Sequence, residues 1–133
     1  MRIMVDTNIL FSSLLFPNSV PAKALMHAAK YHSLVLCDYV IAELYDTISR
    51  KRSDLMADTD VLLTELSYEI QTAPREPSKL FIHPKDAPIL NAAVLADVDV
   101  LLSGDKHFLS LNTVRPKTLT AAAFMQYIED ALP

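Results

Sequence analysis

Three short segments carry apolar residues in unbroken succession: Ile3-Met4-Val5, Leu34-Val35-Leu36-Cys37 and Val100-Leu101-Leu102. A strand with one face in water alternates apolar and polar residues, whereas a run apolar at every position belongs to a sheet covered on both faces. The stretches between these runs read as helices. Strands that alternate with helices predict a parallel sheet flanked by helices. The fold expected is therefore α/β, a three-layer α/β/α sandwich with a mostly parallel central sheet. Residues 1–133 should form a single domain, a length that supports one respectable core.

The elements follow from periodicity and punctuation. A first strand is expected over residues 2–6, a short helix over 8–16 ended by Pro17, and a second helix over 20–32 with Pro21 in its first turn. Ser33 to Cys37 is a second strand. Asp38 is placed to cap the next helix, where Val40, Ile41, Leu44, Tyr45 and Ile48 form one apolar stripe. Ala57 to Thr72 reads as a helix with Val61, Leu62, Leu66 and Ile70 facing inward. Pro74 to Pro77 is a turn-rich break, and Leu80 to Ile82 a short strand. Pro88 to Ala96 is helical, Asp99 to Ser103 a strand, and a short strand near Val114 precedes a last helix from Thr120 to Leu132.

Composition removes several classes of function. The chain has one glycine, Gly104, so neither the dinucleotide fingerprint nor the Walker phosphate loop can be written in it. Its one cysteine, Cys37, excludes an internal disulfide and ends an apolar run, which favours a buried thiol over a nucleophile. No apolar run approaches a membrane span, and the start of the chain lacks a signal pattern, so a cytoplasmic protein with no membrane partner is expected. A net charge of −4 argues against broad coating of nucleic acid, which relies on Lys and Arg. It leaves open an enzyme that holds nucleic acid at one spot. The bases fall at Arg50-Lys51-Arg52, Arg75 and Lys79, Lys106-His107, and Arg115 with Lys117; a solvated face is the simpler account of Arg50 to Arg52.

Four acids stand where apolar segments end: Asp6, Glu43, Asp86 and Asp105. If the apolar runs are parallel strands, their carboxyl ends share the rim at which open α/β sheets bind ligands. Carboxylates gathered there repel one another, and a hard cation with oxygen ligands is the usual remedy. Each acid also has an ordinary structural reading. Asp6 is a candidate helix cap, although Thr7 or Asn8 would serve instead. Glu43, about 7 Å along the helix axis from Asp38, falls to one side of the apolar stripe, and an exposed helix glutamate is its plain alternative. Asp86 precedes Pro88, which sets a helix start, and Asp105 follows Ser103-Gly104 as a turn aspartate would.

Taken together, Val5-Asp6-Thr7-Asn8-Ile9-Leu10, Ala42-Glu43-Leu44, Asp86 ahead of an alanine-rich helix, and Leu101-Leu102-Ser103-Gly104-Asp105-Lys106-His107-Phe108-Leu109 occur in the order of a known pattern. The chain resembles the PIN-domain family from residue 2 to about 128, nearest to the small prokaryotic proteins described as toxins of toxin–antitoxin pairs. The resemblance implies a single PIN-like nuclease domain over 1–133, dependent on Mg²⁺ or Mn²⁺ and hydrolysing phosphodiester bonds of RNA. It implies an acidic cluster of Asp6, Glu43, Asp86 and Asp105, with Asn8 and Ser103 lining the same pocket. Asp6, Asp86 and Asp105 would hold metal, and Glu43 would either join them or orient and deprotonate the attacking water. Lys106 and His107 would touch the substrate phosphate or simply lie in solvent. The resemblance also implies an antitoxin partner and a homodimer; the many apolar residues of the early helices, notably Leu14, Leu15, Phe16, Leu25 and Met26, fit a dimer surface, with the core as their plain alternative. The chain departs from the family at His83, Pro88 and His107, where acids are frequent, which leaves open one metal or two.

Three rivals remain. A receiver-like phosphoacceptor domain has the same rim of acids, but it pairs two acids beside its first strand, where this chain has Thr7-Asn8. A PIN-like interaction module without activity is consistent with the departures. An ordinary α/β scaffold would use the acids only as caps.

Overall fold

Strand β1 (Arg2–Val5) occupies the middle of a five-stranded sheet, with β2 (Ser33–Cys37) on one side and β4 (Val100–Leu102) on the other. The edges are β3 (Glu69–Gln71) beside β2 and β5 (Lys117–Leu119) beside β4, giving the order β3-β2-β1-β4-β5. All four pairings are parallel. This computed structural model describes residues 1–74, 87–111 and 113–131. The expected strand at Leu80–Ile82, the bases Arg75 and Lys79, and the residues His83 and Asp86 lie outside them.

The helices are α1 (Thr7–Leu15), α2 (Val20–Tyr31), α3 (Asp38–Lys51), α4 (Met56–Glu65), α5 (Ala87–Leu95), α6 (Lys106–Leu109) and α7 (Ala121–Ala131), with a 3-10 turn at Ser53–Leu55. They flank the sheet as the outer layers of an α/β/α sandwich. The three apolar runs are its inner strands, and Leu34 to Cys37, Met4, Val5 and Val100 to Leu102 are all buried. On α3 the stripe Val40, Leu44 and Ile48 is buried as the spacing requires. The α4 helix is held to α3 by the Tyr45 hydroxyl, which donates to Asp60 Oδ1 at 2.6 Å. That bond and the accompanying burial push the phenol pKa up to about 12. Cys37 is a buried thiol, and burial raises its pKa.

Several expected elements differ. The helix read over Ala57–Thr72 stops at Glu65, and Glu69–Gln71 pairs with Val35–Cys37 as the edge strand β3. Ile70 and Val61, expected to face inward, are exposed, whereas Leu66 is buried. The backbone of an edge strand satisfies its hydrogen bonds through one neighbour only, so it needs no continuous apolar run. The strand expected near Val114 lies at Lys117–Leu119, and Val114 itself is exposed. Cys37, not Asp38, precedes the first turn of α3; the Asp38 carboxylate instead accepts from Tyr39 N and Ala73 N at 2.7 and 2.9 Å. Helix α6 was not anticipated, because four residues are too few to show a period.

Among the described residues no single helix is long and apolar enough to cross a membrane. Of the apolar residues of the early helices, Leu25 takes the core alternative and is fully buried, while Phe16 and Met26 are exposed. Phe124 on α7 is fully buried and meets the rings of His27 and His32 edge-on, at 6.0 and 6.1 Å. Phe124→Ala should therefore cost about 3–5 kcal/mol. Ile70→Thr, on the exposed edge, should stay within about 0.5 kcal/mol. Urea denaturation of the two variants checks the assignment, and an equal loss in both would contradict the edge position of β3.

Candidate metal-binding acidic site

The sheet winds outward from β1 to β2 and β3, then restarts on the far side with β4 and β5. The reversal falls between β1 and β4, and the crevice beyond the carboxyl ends of such strands is where open α/β sheets bind ligands. Asp6 directly follows β1 and Ser103 directly follows β4, so sheet order alone brings these distant residues to one crevice.

Asp6 is only 6% exposed. A carboxylate this buried needs hydrogen bonds to offset its lost hydration. Its Oδ1 accepts from Thr7 N at 2.7 Å and its Oδ2 from the Ser103 hydroxyl at 2.7 Å. Asp6 is itself the N-cap of α1, so the cap and rim-acid readings describe one side chain, one oxygen to each. Ser103, fully buried, then accepts from Asp105 N at 2.9 Å. One hydroxyl thus joins the turn after β1 to the turn after β4. The backbone repeats the tie, with Asp6 N donating to Leu102 O at 2.9 Å and Ser103 N to Leu119 O at 3.0 Å.

Asp105 caps α6 through His107 N at 2.8 Å, and the His107 ring nitrogen Nδ1 lies 3.1 Å from the same Oδ1. The turn-aspartate reading of Asp105 holds, and its carboxylate stays partly open to solvent. Asn8 reaches across the crevice, its Oδ1 accepting weakly from Gly104 N at 3.4 Å. Lys106 is exposed.

Glu43 is half-buried on α3, the helix that leaves β2 on the same rim and packs against α1. It makes no hydrogen bond to Asp6 or Asp105. Asp86 lies outside the described residues, immediately before α5. Among the described residues no three His, Cys, Asp or Glu side chains stand together as a metal-holding group. The described part of the site is thus Asp6, Asn8, Ser103 and Asp105, with His107 against Asp105.

This donor set is oxygen-rich, which suits a hard divalent ion such as Mg²⁺ or Mn²⁺ over zinc. A further oxygen was not anticipated: Thr7 Oγ1, beside Asp6, is buried with no hydrogen-bond partner among the described residues. A buried hydroxyl left unmatched is costly, and a bound ion's hydration shell is one means of satisfying it. Its position next to the acid was the only signal in the sequence.

The other basic clusters lie elsewhere. Arg50 pairs with Asp46 and Arg52 with Asp54, both in solvent, as a solvated face requires. Arg115 pairs with Asp97 and Asp99, just ahead of β4 and hence at the opposite end of the sheet.

A family model described as "PIN domain" matches residues 2–107, which spans Asp6, Asn8, Glu43, Asp86, Ser103, Asp105, Lys106 and His107. No curated protein matches the sequence. Among solved structures the chain is similar to one chain in the crystal structure of VapBC2 from Rickettsia felis bound to a DNA fragment from their promoter. The TM-score is 0.67 with 18% identity, over 90% of this chain and 98% of that one. At that identity the likeness is one of fold.

Ser103→Ala should cost about 1–3 kcal/mol, because it strips a partner from a buried carboxylate oxygen and from Asp105 N together. Thermal or urea unfolding measures this, and a loss under about 0.5 kcal/mol would show that the bridge contributes nothing.

Proposed function

The chain belongs to the PIN-domain family, and from that premise we propose that it is a divalent-metal-dependent endoribonuclease, the toxin of a toxin–antitoxin pair. The observation that supports this best is the Asp6–Ser103–Asp105 bridge, which holds a buried and a partly open carboxylate at the switch point of the sheet. On this reading residues 1–133 act as one nuclease domain in the cytoplasm.

Asp6, Asp86 and Asp105 hold Mg²⁺ or Mn²⁺, directly or through water, and Glu43 completes the set or orients and deprotonates the attacking water. The ion, when bound, supplies polarisation of the phosphoryl oxygen and a lowered pKa for that water. Asp6 is fixed for its part before any ligand arrives, since both of its oxygens already have donors. Ser103 and Asn8 hold the neighbouring groups, as outer-shell residues do. Lys106 and His107, both exposed beside Asp105, meet the substrate phosphate. A second reading, an inactive PIN-like interaction module, draws on His107 at 3.1 Å from Asp105, where it competes for the carboxylate.

Cleavage of single-stranded RNA should require Mg²⁺ or Mn²⁺ and stop in chelator. Asp6→Asn should lose at least about 100-fold in rate, more than the 10–100-fold typical of outer-shell changes. Its Oδ1 can still accept from Thr7 N, so its stability without metal should change by only about 1 kcal/mol. At a metal concentration about a hundred times Kd the wild type should gain roughly 2.7 kcal/mol and Asp6→Asn much less. Melts with and without Mn²⁺, beside the cleavage assay, decide the matter. Equal metal shifts with equal activity would sink the site assignment, and metal binding without cleavage would favour the interaction module.

The antitoxin and a second copy of the chain are the protein partners in this proposal. A groove of about 380 Å³ bordered by Leu14, Pro17, Met26, Val61 and Leu62, with Phe16 exposed nearby, offers apolar surface for them. Sedimentation at micromolar concentration should give a dimer that Met26→Glu weakens by about tenfold or more, and a monomer throughout would remove the homodimer.

A further inference from the structure

A cavity of about 370 Å³ opens directly beside the acidic site, between the first turns of α1, α2 and α7. Its walls are apolar, formed by Ile9, Pro21, Ala121 and Ala122, and its edge toward the acids is formed by Asn8, Ser12 and Gly104. The volume is at the small end of the range for small-molecule sites, roughly 300–1,000 Å³. Among the described residues no Lys or Arg lines it. A flat, uncharged group with polar edges is what the walls suit.

The polar edge has spare capacity. Asn8 and Ser12 lie four residues apart on α1 and therefore on one face of it. The Asn8 carbonyl oxygen makes the long contact to Gly104 N, while its amide Nδ2 has no acceptor among the described residues. The Ser12 hydroxyl has no partner among them either. Gly104 does not use the left-handed backbone region that glycine alone favours. A Cβ there would meet only Asn8 Nδ2, at an ordinary 3.7 Å. Backbone strain does not demand this glycine. Its bareness leaves the Asn8 amide open toward the cavity.

We propose that this cavity is a nucleobase subsite, which takes the base of a nucleotide flanking the scissile phosphate and so sets sequence preference. The proposal rests on the RNA-cleaving reading of the adjacent acids. Sequence-specific recognition of single-stranded RNA splays bases out of their stack and reads their edges by hydrogen bonds. Here Ile9, Pro21 and Ala121 cover the ring, while Asn8 Nδ2 and Ser12 Oγ read an acceptor edge. The shared residues Asn8 and Gly104 put the base within one nucleotide of the acids.

The test uses the Asp6→Asn protein with Mn²⁺ and labelled tetranucleotides of RNA, intact or with one abasic position at a time. Binding is read by fluorescence anisotropy. Loss of the base at one position should weaken binding about tenfold, within the range that one stacked base contributes. Ser12→Leu or Ala122→Trp, added to Asp6→Asn, should bind the intact tetranucleotide about tenfold less well and no longer sense the abasic position. On the Asp6 wild-type background, both variants should still cut RNA but with altered base preference at the cut. A flat abasic scan, or no binding at all, overturns the subsite, as does unchanged preference in both variants. A position-dependent scan for a protein that never cuts RNA would keep the subsite and overturn the nuclease reading instead.

Discussion

The hydroxyl of Ser103 sits between two turns that carry acids, and the geometry of the crevice depends on it. Asp6 is buried, and an ionised carboxylate out of water must be matched by donors or be costly to keep. Ser103 gives its proton to Asp6 and its lone pair to Asp105 N. The same residue's backbone N–H bonds to β5, so β1, β4 and β5 are fastened at one level. A shift of either turn would break several bonds together. The acids are thus held by the packing of the sheet rather than by a flexible loop, which is the preorganised support a reactive site needs.

Each end of the sheet gathers its own set of acids. At the start of the strands, Arg2 bonds to Glu69, Asp99 and the Ala96 carbonyl, while Arg115 pairs with Asp97 and Asp99. Each of these acids thus has an arginine partner. At the carboxyl ends, Thr7 N and the Ser103 hydroxyl donate to Asp6, and the Asp105 carboxylate meets a His107 ring that is charged only when protonated. A neutral donor steadies a carboxylate without cancelling its charge. The apolar cavity beside it adds a neutral surface next to that charge.

Much of the fold was legible because burial on both faces writes itself into sequence. Leu34 to Cys37 and Val100 to Leu102 are apolar at every position since each inner strand touches a helix layer on either side. The stripe of α3 is equally plain. Glu69-Ile70-Gln71 was hidden because an edge strand is fixed by its partner's backbone, and three largely solvent-facing residues bear no pattern. Helix α6 was hidden by its length, and Lys117–Leu119 by its polar start at the other edge.

For the site, the residues themselves were determined by sequence: acids, an asparagine and a serine at the ends of apolar runs, in an order that marks the family. Their roles within the fold were not. Whether Asp6 capped a helix or faced the crevice was undecidable from Val5-Asp6-Thr7-Asn8, and the fold assigns one oxygen to each task. Arg115 and Lys117 follow Lys106-His107 closely in sequence, yet strand direction sends the two pairs to opposite ends of the sheet. Residues 97 positions apart became hydrogen-bonded because β4 returned to the far side of β1. Sequence carries local preference and burial, which depend on neighbours along the chain. Strand order and direction depend on contacts made across it, and only the tertiary structure could decide that Asp6 and Asp105 share the Ser103 hydroxyl.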